Sequence, residues 1–258
     1  MRKIKRLLKW TSLIMILAAG CVLFFYQNKQ SQVSSSRFSG NLQTEILLAE
    51  DQTTGTELID VPLENQNAGT TPLENGCEVT ALSMLLNYYD YETDKNELAD
   101  LLNYVPVYED EAAAIRGNPH EGFVGNIYTG LDAMGVAVEP VAEVARHIVD
   151  SSQTIVASSK TSFEDLAEIV EEGTPVWVVT TVDFELPTSE DFMTWKTTNG
   201  EVTVSPLCHA VVITGIDNQY VYVNDPFGYK NRLVERDNFE IIYQKMGSQS
   251  LYIIDDEI

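Results

Sequence analysis

Apolar residues follow several different rhythms along this chain. Trp10 to Tyr26 is a run without a charged side chain. As a helix it would cover about 25 Å, enough to cross a bilayer core. Gln27 to Glu57 is rich in Gln, Ser, Asn and Thr, lacks periodicity and reads as a flexible linker. From Leu58 onward, helical and strand patterns alternate. Val79, Leu82, Leu85, Leu86 and Tyr89 form a one-sided stripe that predicts a helix after Cys77. Thr93 or Asp94 caps a short helix ending near Leu102. Helices are also predicted over Asn126–Met134 and Val141–Val149. Ser162-Phe163-Glu164-Asp165 resembles a capping box opening a helix that Gly173 stops. Pro175–Val182 is a strand of the buried type, and strands follow at Cys208–Gly215 and Tyr220–Asn224. Asp237-Asn238-Phe239-Glu240 caps a last helix stopped at Gly247, and Ser250–Ile254 is a final strand. Helices come mostly first and strands later, which favours an α+β fold with an antiparallel sheet. Residues 58–258 suit one domain with a single core, without internal repeats.

Charge changes how the N-terminus reads. The chain has 39 acidic and 16 basic residues, a net charge of -23. Arg2, Lys3, Lys5, Arg6 and Lys9 are all basic, and the first acidic residue is Glu45. A basic segment 1–9 before an apolar segment 10–26 predicts a single-pass signal anchor. Its basic end stays cytoplasmic, and the remaining chain lies outside the cell. Ala18-Ala19-Gly20-Cys21 also resembles a lipoprotein box, so acylation at Cys21 or cleavage into a secreted form are alternative fates. The acidic body argues against nucleic acid as a partner, because phosphate repels it. Oligomeric state is left open.

Chemistry narrows further. The 258 residues hold three cysteines and three histidines. Cys77 stands after Gly76 at the predicted start of a helix. There the helix dipole and a nearby imidazolium would lower the thiol pKa and favour the thiolate. Gly76 lets the chain turn into that helix without a side-chain clash. His209 heads one apolar strand and Asp225 ends the next, with Asp217-Asn218-Gln219 as the turn between them. A hairpin centred on Asp217 makes His209 and Asp225 direct cross-strand neighbours on one face. A nucleophile, a base and a carboxylate that orients the base form the constellation of a cysteine nucleophile. The Cys77 backbone N–H or the Gln66 side chain could serve an oxyanion. Cys208 neighbours His209, so on a strand it points to the other face; it reads as core, with a place beside substrate as the alternative. His120, in a Gly-rich loop, is a further candidate for the cleft wall. Cys77, His209 and Asp225 lack the close-spaced pairs of a metal site, so no metal or cofactor is expected.

Certain motifs carry a resemblance. Gly76-Cys77-Glu78, Leu86-Asn87-Tyr88-Tyr89, His209 through Gly215, and Val223-Asn224-Asp225-Pro226 resemble segments of the papain-like cysteine peptidases related to the bacteriocin-leader (double-glycine) processing enzymes. Gly117 through Gly125 resembles a loop of stand-alone exported members. The resemblance covers roughly residues 61–254 and implies a papain-like fold, with the nucleophile helix packed on an antiparallel sheet. It implies Cys77 as nucleophile, His209 as base and acid, Asp225 as orienter and Gln66 as oxyanion donor. From their own positions in the sequence, Gly76, His120 and Cys208 are expected near the substrate. Three departures stand out. Glu78 replaces the Gly common after the cysteine, Gln66 lies further upstream than is usual, and Asp90 replaces a Gly at the helix end. No phosphate-loop motif occurs in these residues, so a stand-alone rather than a transporter-fused enzyme is expected. The expected activity is hydrolysis of peptide bonds in a peptide or protein. A silent peptide-binding module and an amidase of cell-wall cross-links remain as alternatives.

Overall fold

The computed structural model describes residues 56–256. The basic segment 1–9, the apolar segment 10–26 with Cys21, and most of the 27–57 linker lie outside the described residues. Among the described residues no helix is long and apolar enough to cross a membrane.

A six-stranded sheet forms the frame. Its strands are β5 (Gln153–Ser158), β6 (Val176–Thr181), β9 (Cys208–Ile216), β10 (Tyr220–Asp225), β11 (Tyr229–Glu235) and β12 (Ser250–Asp255), in the order β11-β10-β9-β6-β12-β5. Every neighbouring pair is antiparallel. Val176–Thr181 and His209–Ile216 are buried at every position, as in strands covered on both faces. Helix α1 (Cys77–Tyr88) lies against β9 and β6. It is flanked by α2 (Lys95–Leu101) and α3 (Val138–Ile148), so Cys77 through Leu86 are all buried. The predicted one-sided stripe is thus a helix enclosed all round, as expected of an element central to the core. Asp90 ends it at φ 62, in the left-handed region where glycine is the unstrained choice.

Asp94 caps α2 with a full capping box closed by Glu97. Ser162 caps α4 (Phe163–Glu171) through a 3.0 Å bond from the Asp165 N–H. The last helix, α5 (Arg236–Lys245), begins before the Asp237 cap expected for it and follows directly on β11, a strand the sequence pattern hid. Phe163 meets Phe239 and Tyr243 where α4 and α5 pack.

The predicted helix over Asn126–Met134 is absent; those residues form an irregular loop. Gly125, Gly130 and Gly135 take positive φ, which a helix forbids. The Asn75 amide also draws the Asn126 and Gly130 carbonyls out to itself. A small sheet beyond the frame was likewise unforeseen. Its strands are β2 (Tyr108–Asp110), β3 (Ile115–Arg116), β7 (Met193–Thr197) and β8 (Gly200–Val204). β1 (Tyr104–Val105) and β4 (Phe123–Val124) form a separate two-residue pair. Trp195 and Val204 make a second, minor core with Val124, against which Met134 packs.

The β9–β10 register needs correcting. Near the turn Tyr222 faces Gly215, and past a bulge Val223 faces Ile213 and Asn224 faces Val212. His209 and Asp225 are therefore diagonal rather than direct neighbours. The bulge at Thr214 decides the outcome. Had the turn-side register continued, Asp225 would face Val212, whose side chain points away from the His209 face. The extra residue puts both side chains on one face.

Candidate active site

Gly76 precedes α1 as its cap residue, and no side chain caps the helix. A Cβ at Gly76 would lie 2.4 Å from the Leu73 Cβ, so space rather than φ requires glycine there. This close turn delivers Cys77 as the first helical residue, at the positive end of the helix dipole. The thiol is 7 % exposed.

The cleft above it has a volume of about 130 Å³. Cys77, Glu78 and Gln66 line it from the helix side, and Cys208 and His209 from β9. Met134 and Gly135 of the irregular loop supply another wall.

On the strand side each polar atom of the carboxylate is engaged. His209 Nε2 meets Asp225 Oδ1 at 2.9 Å, and the pair is buried. The Phe227 N–H donates to that same oxygen at 2.9 Å, and the Phe227 ring stacks on the imidazole. Arg232 Nη1 donates to Asp225 Oδ2 at 2.8 Å. Burial pushes the Asp225 carboxyl up, but His209, the Phe227 N–H and Arg232 outweigh it and hold it below the usual range. Arg232 is itself placed by the rings of Phe184 and Tyr229 and by Asp183. Sequence reading missed Arg232 because β11 was missed. Once that strand is known, its register places Arg232 opposite Val223, beside the end of β10. With Nε2 committed to Asp225, Nδ1 is the imidazole nitrogen left for chemistry.

The helix side differs. The Cys77 thiol donates to Glu78 Oε2 at 3.2 Å, so its hydrogen bond goes to a carboxylate rather than to the imidazole. Burial foremost, then the charge of Glu78 and of Cys208, push the thiol up, while the Ala210 backbone N–H opposes them. Burial and these neighbours thus reverse the lowering expected from the helix start. Glu78, 1 % exposed, is also pushed up by burial, against hydrogen bonds and the charge of His209. In the sequence it stood out only as a departure from the glycine common after the cysteine.

The other candidates separate. Gln66 lies in the cleft wall, but its Nε2 donates to the Leu73 carbonyl at 3.1 Å and to the Glu74 carbonyl at 2.9 Å. Both amide hydrogens are thereby spent, and Oε1 is buried without a partner. The amide of the expected oxyanion donor thus ties the turn before Cys77, and the Cys77 backbone N–H stands free of an intrahelical partner at the helix start. Cys208 is no mere core residue, since it shares the cleft with Cys77, and both thiols are free. His120 does not line the cleft. It pairs with Glu139 at 2.9 Å in a half-exposed position, where that hydrogen bond raises its pKa. No group of side chains suited to a metal occurs among the described residues.

Comparison with known proteins adds an independent line. Residues 58–251 match the Peptidase_C39 like family. The uncharacterized protein YvpB of Bacillus subtilis (strain 168) is 38% identical over 195 residues, which cover 76% of this chain and 75% of that protein. A crystal structure from Bacillus anthracis, assigned as a C39-like peptidase, is 34% identical with a TM-score of 0.71, covering 78% of this chain and 100% of its own. A double glycine motif protease from an AMS/PCAT transporter, solved with a leader peptide, has 15% identity and a TM-score of 0.40. That last likeness is too distant to carry an argument.

Proposed function

The chain belongs to the Peptidase_C39 like family, and on that premise we propose that it is a cysteine peptidase with Cys77 as nucleophile, His209 as base and acid, and Asp225 as orienter. One observation carries the reading: His209, held by buried Asp225, lines the same cleft as a cysteine at a helix start. Asp225 fixes the imidazole by Nε2, and His209 Nδ1 accepts the thiol proton. The thiolate then attacks a peptide carbonyl, whose developing oxyanion the Cys77 N–H receives. His209 returns the proton to the leaving amine, and water resolves the thioester.

The proposed setting is the outer face of a membrane. The basic segment 1–9 followed by the uncharged segment 10–26 supports an anchor, and the acidic domain suits a body held away from anionic lipid. Intact-mass measurement of membrane-extracted protein distinguishes an uncleaved anchor from a chain cut before an acylated Cys21.

Turnover of a peptide library by reduced wild-type protein tests the activity. Cys77→Ala should abolish it, and a variant that cleaves as well as the wild type would sink the assignment. One observation favours a second reading. The thiol rests on Glu78, as it would in a module that holds peptides without cutting them. Peptide binding by the wild type, without cleavage under reducing conditions, would support that reading.

A further inference from the structure

The mechanism above leaves a buried carboxyl beside the thiol unused. Glu78 is fixed at both oxygens. Its Oε1 accepts the Val136 backbone N–H at 3.0 Å, and its Oε2 takes the Cys77 S–H at 3.2 Å. Its main-chain carbonyl is held by Trp177 Nε1 at 3.0 Å. The loop opposite is shaped to admit this carboxyl, since a Cβ on Gly135 would stand 2.3 Å from Oε1. Groups facing Glu78 come from few elements. Cys77 sits on its own helix, Cys208 and His209 come from β9, and the 135–136 loop offers only backbone. Asp225, one step behind His209, is already neutralised by Arg232. The carboxyl is thus aimed at the sulfur, and an ionised carboxylate at 3.2 Å opposes a thiolate by like charge.

We propose that Glu78 is a proton lock on the nucleophile: as a carboxylate it keeps Cys77 a neutral thiol, and Cys77 becomes the attacking thiolate only when Glu78 carries a proton. Glu78 is a positioning residue in this scheme, acting through Cys77. In the locked state the sulfur holds one proton, Glu78 none, and the imidazole is neutral. In the attacking state Glu78 Oε2 and His209 Nδ1 each hold a proton and the sulfur holds none, so one proton is taken up from water. The protonated Oε2 then donates to the thiolate it previously opposed. Attack forms the carbon–sulfur bond, the carbonyl electron pair moves to oxygen, and His209 passes its proton to the amine. Activity therefore falls as pH rises and Glu78 loses its proton. This inference rests on the peptidase reading for its consequence, though not for its chemistry.

The test is alkylation of Cys77 by iodoacetamide in the full chain, followed by peptide mass spectrometry from mildly acidic to mildly alkaline pH. Glu78→Gln keeps a donor to sulfur and removes the charge, so labelling at neutral pH should rise about tenfold or more. Its peptide hydrolysis should lack the decline at higher pH that the lock predicts for the wild type. Glu78→Ala, which removes the carboxyl together with its charge, should also speed labelling. It also serves if Glu78→Gln fails to fold. Labelling no faster in Glu78→Gln than in wild type, or a pH profile that does not move, overturns the lock. Faster labelling without hydrolysis by any of these proteins sustains the lock and sinks the peptidase. Unchanged labelling with hydrolysis that depends on Cys77 does the reverse.

Discussion

The two sides of the cleft are finished to different degrees. On the strand side, His209, Asp225, the Phe227 N–H and Arg232 form a chain in which each carboxylate oxygen has its donor. On the helix side, the Cys77 thiol is bonded to Glu78, and Gln66 leaves a buried oxygen unpaired. The difference follows from the elements. β9 and β10 are interior strands of the large sheet, and their ladder fixes backbone and side chains together. The start of α1 instead faces a glycine-rich loop, which meets the Glu78 carboxyl through the Val136 N–H. The His209–Asp225 pair is preorganised; the proposed nucleophile depends, under the lock proposed above, on the proton of Glu78.

Asp225→Ala should break this contrast most severely. Without its orienter His209 loses both tautomer and position, and kcat should fall by about 10³–10⁴. The Arg232 guanidinium would lose its buried carboxylate, costing about 3 kcal/mol in denaturant unfolding. An activity loss below about tenfold would mean that the strand side is not the working base.

Arg232→Gln is milder and sharpens the comparison through pH. The Asp225 carboxyl lies below its ordinary value in the folded protein. Its contribution to stability is therefore present above the unfolded pKa of about 3.9 and lost as pH falls through the lower folded value. Removing Arg232 should bring that acid loss to higher pH, seen as an earlier fall of Tm on acidification. An unchanged acid profile would show that Arg232 does not hold the carboxylate ionised.

Gln66→Met probes the helix side. It leaves the Leu73 and Glu74 carbonyls without their amide donor, and about 1–3 kcal/mol of stability should be lost. If instead kcat drops a hundredfold at unchanged stability, Gln66 serves the oxyanion. Smallest of all, His120→Ala should cost about 0.5 kcal/mol and leave kcat alone, because its exposed pair with Glu139 lies outside the cleft.

The strand side was the more legible in sequence. Unbroken apolar runs around His209 and before Asp225 announced two interior strands, and a polar turn joined them. What pattern could not supply was the bulge, because Thr214 looks like any other strand residue until its partner is known. Tyr229–Glu235 escaped because only Val234 of that strand is fully buried, so no apolar run marks it. On the helix side, the position of Cys77 after Gly76 was readable, but its electrostatics were not. A helix start lowers a thiol pKa through the dipole, whereas burial and one adjacent carboxylate raise it, and only side-chain packing decides which prevails. His120 failed as a cleft residue for a related reason: a glycine-rich loop signals close approach of backbone without saying to what.

The bulge has a mechanical consequence as well. The Thr214 carbonyl accepts the Ile59 N–H at 2.8 Å. Asn224, the residue before Asp225, grips the Val61 carbonyl at 2.9 Å. The incoming chain is thus sewn onto the hairpin that carries His209 and Asp225. Any tension arriving through Thr56 is resisted first by that hairpin and reaches α1 only afterwards. A pull on Thr56 would load the hairpin of His209 and Asp225 before Cys77, which makes the preorganised side of the cleft the one exposed to load.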